Sequence, residues 1–296
     1  MSVAGREAPL IRKLVVVGVG LIGASAALAL RAAGAVGAVI GIGRSRANLD
    51  EALSTGAIDA VGGYDAATLG DADVVLMAVP VAQAGGVLAA LAPWIGADTV
   101  VTDAGSTKRD VIALARTHLG AAFSRFVPGH PVAGAERSGA AAADPGLYAG
   151  RRVVLTPVAE TSGDAQARIE RMWRVCGASV SRMTPERHDE VLAAVSHLPH
   201  VLAFALVHQI AAHPDAAECF EIAGAGFRDV TRVAASSPEM WRDICLANRE
   251  PLLKVMDQYL AELGGVRELI AAGQGEALER LFAQASAARG KWTVAT

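Results

Sequence analysis

The chain has 296 residues and a formal net charge of −3. It is too long for one ordinary core, and it lacks the global positive field that binding to a nucleic-acid backbone requires. Hydrophobic residues make up 52% of it but aromatic residues only 4%, so its cores are expected to be built from Ala, Val, Leu and Ile. The three cysteines, Cys176, Cys219 and Cys245, form no C-x-x-C pair. They read as small buried hydrophobes in a reducing cytoplasm, with neither a disulfide framework nor a zinc or other metal site.

In chain order, Lys13 to Val17 reads as a strand and Leu21 to Ala33 as a helix. The apolar run Leu14 to Leu30 imitates a membrane span or signal segment, but its glycines point to a strand–turn–helix instead. Ala38 to Ile42 is strand-like, Arg46 to Ser54 helical, and Asp73 to Val79 a buried strand ended by Pro80. Val81 to Leu91 then reads as a helix, Thr99 to Thr102 as a strand and Lys108 to Leu119 as a helix. A further strand begins at Arg125 to Val127. These strands are continuous apolar runs, as strands buried on both faces of a parallel sheet are. The strand–helix alternation predicts a doubly wound α/β domain. Arg152 to Thr156 and Ser179 to Met183, with a helix Asp164 to Val175 between them, are expected to extend the same sheet.

After Met183 no convincing strand is found. Thr184-Pro185-Glu186 and Ser237-Pro238-Glu239 are helix starts, each with a hydroxyl cap and a proline in the first turn. The second is expected to open a helix running to Leu263, broken by Gly264-Gly265. Val266 to Ala288 follows as a helix interrupted near Gly273 and Gly275. The domain boundary is placed near residue 184.

Gly18-Val19-Gly20-Leu21-Ile22-Gly23 matches the dinucleotide fingerprint G-x-G-x-x-G, after a strand and at the opening of a helix. Gly18 permits the tight turn, Gly20 lets the backbone approach a pyrophosphate, and Gly23 brings helix and strand together. The N–H groups at the helix start, from Leu21 and Ile22 on, favour the phosphate charge. An acid about 20 residues beyond the glycines would bond the ribose of NAD. Gly43 stands there instead, followed by Arg44, Ser45 and Arg46. A carboxylate would repel a 2′-phosphate and these three residues suit one, so NADP is preferred, with NAD possible. The plainer alternative is that they are solvated residues at a helix start.

Four further segments carry candidate chemistry. Asp103-Ala104-Gly105-Ser106-Thr107-Lys108 follows a strand at the carboxyl edge of the sheet, where ligands bind. Ser106 or Thr107 would also cap the next helix. Gly129-His130-Pro131-Val132-Ala133-Gly134 puts a histidine on what reads as a stiff, exposed turn. Such a histidine suits proton transfer near neutral pH, or is simply a surface residue. In Ser196-His197-Leu198-Pro199-His200 the proline is expected to kink a helix, leaving two histidines to line a cavity. Gly226-Phe227-Arg228-Asp229-Val230-Thr231-Arg232 places two arginines on one helix face. One suits a salt bridge with Asp229 or Asp243, the other a substrate carboxylate.

The order of these segments, together with His188-Asp189 and Met240-Trp241-Arg242-Asp243, resembles that of prephenate/arogenate (cyclohexadienyl) dehydrogenases over nearly the whole chain. The resemblance implies a Rossmann-type domain at 1–184 and an all-helical dimerisation domain at 185–296, assembled as a homodimer. It implies NAD(P)-dependent oxidative decarboxylation of prephenate or arogenate in tyrosine biosynthesis. By position, His130 matches the histidine that accepts the ring-hydroxyl proton, and Ser106 the serine that orients it. Arg232 matches the arginine that holds a substrate carboxylate. His200, His197 and Ser236 match substrate-facing positions, and Arg228 fits a structural role. Neither a fused mutase nor a ligand-sensing domain is expected at the ends, so any inhibition by tyrosine would act at the active site. Two other readings stay open. One is a β-hydroxyacid-type dehydrogenase using a lysine, for which Lys254 is the candidate. The other is a non-catalytic NADP sensor of the same fold.

Overall fold

The computed structural model describes residues 8–134 and 137–292. By its contacts the chain divides into two compact units, one of Met1–Asp189 with Ala235–Ala247, the other of Glu190–Ala234 with Asn248–Thr296.

The first unit is organised by a six-stranded sheet. Its strands are β1 (Ile11–Val17), β2 (Val36–Ile42), β3 (Ala60–Val61), β4 (Val74–Met77), β5 (Val100–Asp103) and β6 (Phe126–Val127). They lie in the order β3-β2-β1-β4-β5-β6, and every pair is parallel. Between them run α1 (Leu21–Ala32), α2 (Arg46–Ser54), α3 (Ala66–Leu69), α4 (Ala84–Leu91) and α5 (Arg109–Leu119). The apolar run Leu14–Leu30 is thus a strand, a turn and a helix.

Along β1 the side chains alternate between two cores. Leu14 and Val16 join α1 and α2 on one face. Val15 and Val17 join α4 and α5 on the other. Both sets are buried, which is why the strand reads as one uninterrupted apolar run. The short β3 and α3 went unread in the sequence. Two strand residues and one helical turn are too brief for a periodic signal.

A second sheet corrects one expectation. The strands at 152–155 and 179–182 do not extend the main sheet. With Gly129–Pro131 as β7, Arg152–Leu155 as β8 and Ser179–Arg182 as β9, they form a separate three-stranded sheet, order β7-β8-β9. The chain leaves the main sheet at Pro128, whose carbonyl accepts from the Thr156 N–H. β7 then pairs antiparallel with β8 instead of continuing beside β5. The helix α6 (Gly163–Val175) packs Ile169, Met172 and Trp173 into the α1 core.

Among the described residues, every regular element after β9 is a helix. α7 (Pro185–Leu192) passes through a π turn (Ala193–His197) into α8 (Leu198–Ala211). Thr184 caps α7 at the Arg187 N–H, as its position predicts. The kink expected at Pro199 is instead a widened turn just ahead of it. Proline cannot bond to the carbonyl four residues back, and the chain absorbs the fault by bonding the Leu198 N–H five back, to Ala193. α9 (Ala216–Glu221) and α10 (Ala225–Thr231) follow, then α11 (Pro238–Ala247), α12 (Arg249–Ala271) and α13 (Gly275–Lys291). The expected helix from Pro238 to Leu263 is therefore two helices parted at Asn248. The expected break at Gly264-Gly265 is absent, because α12 runs through both. Two glycines cost a helix about 1 kcal/mol each and do not force it to end.

Gly18 shows how tightly the first crossover is built. Its φ is +89°, and an added Cβ would lie 2.4 Å from the Ala78 carbonyl oxygen at the end of β4. Gly18→Ala is expected to lower the free energy of unfolding by about 1–3 kcal/mol in urea titration. At Gly20 an added Cβ meets nothing within 4 Å. Gly20→Ala should leave stability within about 0.5 kcal/mol while weakening nucleotide binding.

Candidate active site

The glycine loop lies between the carboxyl ends of β1 and β4, where the strand order reverses direction. Open α/β sheets bind ligands at such switch points. α1 begins after Gly20 with no side-chain cap, so the N–H groups of its first turn are presented outward. The open space above Gly20 and the close packing beneath Gly18 and Gly23 make a cradle that fits a dinucleotide pyrophosphate.

Three side chains hold this cradle, and none was foreseen. Asn48 of α2 donates to the Val19 carbonyl (2.5 Å) and accepts from the Ala140 N–H (2.8 Å). The Tyr148 hydroxyl donates to the Ile22 carbonyl at 2.5 Å. Ser25 accepts from the Asp144 N–H at 2.9 Å. Residues 140–148 therefore strap the opening of α1. A lone Asn and a lone Tyr carry no spacing signal, so only the fold could reveal them.

At the end of β2, Gly43, Arg44, Ser45 and Arg46 are all exposed. Ser45 caps α2 by accepting from the Asn48 N–H. Arg46 pairs with Asp50 one turn on, at 2.9 Å. Both thus carry helix-start duties beside any contact with a nucleotide.

The loop 103–108 is clamped from inside. Lys108 is completely buried, with its Nζ 2.5 Å from Asp103 Oδ2 and 2.7 Å from the Gly129 carbonyl. Asp103 also accepts from the backbone N–H groups of Gly105 and Gly129. The half-buried Ser106 is therefore carried on a loop tied to the backbone directly before His130. The expected cap of α5 by Ser106 or Thr107 is corrected. The carboxylate of Asp189, far along the chain, takes the Lys108 and Arg109 N–H groups, each at 2.9 Å. A carboxylate neutralises a helix N-terminus better than a hydroxyl does.

His130 is likewise corrected. It lies in β7, is 8% exposed, and is not on an exposed turn. Its Nδ1 is 2.8 Å from Nε2 of His188, whose Nδ1 is 2.8 Å from Asp189 Oδ1. His188 and Asp189 on α7 are both buried. Burial raises the Asp189 carboxyl, but the bonds from His188 and the two backbone N–H groups outweigh it and hold the group below its ordinary value. The sequence shows His188-Asp189 only as an i, i+1 pair, with nothing to say what either side chain reaches. Ser236, the half-buried residue before α11, belongs to this first unit.

The second unit holds the other candidates. His197 is 1% exposed at the end of the π turn, with Nδ1 3.0 Å from Asn248 Nδ2. Asn248, the residue that parts α11 from α12, is thus a side-chain partner as well as a break. His200 donates from Nδ1 to the Ser196 carbonyl at 2.8 Å. Burial lowers the His200 imidazole below its ordinary value; the Ser196 carbonyl opposes this and the Arg232 charge adds to it. Arg232 opens the short 3-10 turn after α10, and its side chain is exposed. Arg228, on α10 itself, is also exposed. Asp243, a suggested partner for one of these arginines, pairs with its neighbour Arg242 at 2.7 Å.

The chain is similar to known proteins over most of its length. A family model described as prephenate dehydrogenase, nucleotide-binding domain, matches residues 26–182. A second, described as prephenate dehydrogenase, dimerization domain, matches residues 184–284. The cyclohexadienyl dehydrogenase of Zymomonas mobilis is 36% identical over 280 residues, spanning 94% of this chain and 95% of that protein. The crystal structure of prephenate dehydrogenase from Aquifex aeolicus, in complex with hydroxyphenyl propionate and NAD+, superimposes with a TM-score of 0.88. The two share 35% identity over 95% of this chain and 98% of that one. The structure of Synechocystis arogenate dehydrogenase gives a TM-score of 0.80 at 30% identity, over 95% of this chain and all (100%) of that one.

The buried clamp yields a stability test. Lys108→Met keeps the bulk of the stem but leaves Asp103 buried without its counter-charge. It is expected to lower the free energy of unfolding by about 3–5 kcal/mol in urea titration.

Proposed function

The chain belongs to the prephenate dehydrogenase family, and from that premise we propose how its own residues divide the work of the reaction. That reaction is the NAD(P)-dependent oxidative decarboxylation of prephenate or arogenate on the route to tyrosine. Hydride leaves the ring carbon bearing the hydroxyl, the hydroxyl proton passes to a base, and carbon dioxide departs as the ring becomes aromatic. The product is 4-hydroxyphenylpyruvate from prephenate or tyrosine from arogenate.

Gly18, Gly20, Leu21, Ile22 and Gly23 hold the pyrophosphate of the cofactor, which when bound supplies the hydride acceptor. His130 takes the hydroxyl proton, and Ser106 orients the histidine and the hydroxyl. Arg232 supplies the fixed cation for a substrate carboxylate, a planar fork suited to that group. His200, His197 and Ser236 line the substrate. The observation that carries this reading is the buried Asp103–Lys108 pair. It grips the Gly129 backbone and so fixes the Ser106 loop against the strand of His130. A base must be held within hydrogen-bond reach of the proton it takes, and that clamp sets its place.

NADP is the preferred cofactor. No acid stands at Gly43, and Arg44 is exposed beside the capped start of α2. The enzyme works as a cytoplasmic homodimer divided near residue 184. A second copy covers apolar side chains such as Val195, Ile222, Leu260 and Ile270 that the single chain leaves exposed.

Steady-state assays with both substrates and both cofactors test these assignments. His130→Asn is expected to lower kcat by about 10²–10⁴-fold. Turnover that survived this change and was lost in Lys254→Ala would move the base to the helical part. Arg44→Ala should raise the KM for NADP by about tenfold, the worth of one charge-assisted bond, and barely change that for NAD. Equal effects on both would remove the phosphate-binding role.

A further inference from the structure

His130 does not stand alone. Its ring meets His188, and His188 meets Asp189, at 2.8 Å for each contact. All three side chains are buried, with exposures of 8%, 0% and 2%.

The chain of contacts has one polarity, and the polarity can be worked out. Asp189, held ionised by its partners, is an acceptor only. Its oxygens already receive two backbone N–H groups. The His188 Nδ1 facing it must therefore carry hydrogen. A neutral His188 then has only a lone pair at Nε2, so the His130 Nδ1 facing that atom must be the donor. It follows that neutral His130 bears its own lone pair at Nε2. That is the tautomer a base needs, and it is set two residues away from the atom that uses it.

Resting on the reading of His130 as the base, we propose that His188 and Asp189 form a buried proton relay that fixes the tautomer of His130 and shares the proton it takes. As the substrate hydroxyl proton arrives at Nε2 of His130, the Nδ1 proton of His130 moves to Nε2 of His188. The positive charge then rests on His188, beside the Asp189 carboxylate. His130 is left neutral with its hydrogen on Nε2. One proton has entered and one has shifted, and the charge of the buried set rises from −1 to zero. Reversal of both transfers returns the proton through Nε2 of His130. His188 is a positioning residue, acting on substrate only through His130.

Among the described residues, these charged and titratable groups are linked to His188. Asp189 is on its own helix, His130 on β7, and the Asp103–Lys108 pair on the loop after β5. Asp110 on α5 has its carboxyl pushed up, chiefly by burial and in part by the charge of Asp189. Asp189 is a poor target for mutation, because it also caps α5. His188 has no such second duty among the contacts described.

The test compares full-length wild type, His188→Gln and His188→Phe. Glutamine offers an acceptor to His130 but cannot take a charge; phenylalanine offers neither. His188→Phe should lower kcat at least tenfold with KM changed less than threefold, and His188→Gln should fall between it and wild type. In both variants the acid limb of the kcat/KM profile should move to lower pH, because the proton that His130 takes can no longer pass to a second imidazole beside the Asp189 carboxylate. Losses in kcat without movement of that limb would reduce His188 to a packing residue and overturn the relay. Histidine 15N NMR of the wild type supplies a readout independent of turnover and of how the variants fold. Nδ1–H on both His130 and His188 is expected, and Nε2–H on neutral His188 would overturn the proposal. Wild type that showed these tautomers but turned over neither prephenate nor arogenate would overturn the enzymatic reading, not the polarity of the chain.

Discussion

One carboxylate, that of Asp189, holds together the parts of the first unit on which its chemistry depends. It receives the N–H groups of Lys108 and Arg109, and so anchors the start of α5 and the loop that carries Ser106. It also receives the His188 ring, which in turn meets His130. Three segments distant in sequence are thus linked through its two oxygens, the His130 strand by way of His188. Burying an anion is costly unless its bonds are complete. Here the backbone groups are the unpaired N–H groups of a helix start, which favour negative charge. The fold supplies to Asp189 the donors it needs, and Asp189 supplies to α5 the cap that the local sequence lacks.

The Asp103–Lys108 pair follows the same logic on the next layer. Lys108 sits inside the loop, and its ammonium bonds one carboxylate and one backbone carbonyl. Removing either charge would strand the other without water. The pair therefore gives specificity of loop position more than net stability. Position is what proton transfer demands, since a displacement of an ångström between base and hydroxyl carries a large loss of rate. The nucleotide cradle is built with comparable economy. Close packing under Gly18 sets the turn, and Asn48, Ser25 and Tyr148 tie α1 to residues 140–148.

Much of this architecture was legible in the residues. The doubly wound sheet could be read because strands buried on both faces are continuous apolar runs and each is followed by a helical segment. The glycine fingerprint could be read because the geometry of a pyrophosphate turn admits few alternatives at Gly18 and Gly23. The hydroxyl caps at Thr184 and Ser237 were also legible, being contacts between residues three apart. The second sheet was not. β8 and β9 look like any buried strand, and what draws them from the main sheet is the turn of the chain at Pro128 and the pairing of β7 with β8. His130 read as exposed for the same reason, since glycine and proline beside it signal a turn locally. The π turn before Pro199 and the uninterrupted passage of α12 through Gly264-Gly265 show local propensity giving way to its surroundings.

By itself the sequence determined the class of the fold, the place of the nucleotide loop and the family to which the chain belongs. Those properties live in short-range pattern: periodicity, caps three residues apart, glycines where no Cβ fits. Only the tertiary structure decided which side chains act together. The reach from Asp189 to Lys108 spans 81 positions and that from His130 to His188 spans 58. No local rule links residues so far apart. A buried charge or ring is partnered by whatever the packed chain brings within about 3 Å, and that is known only when the chain has folded.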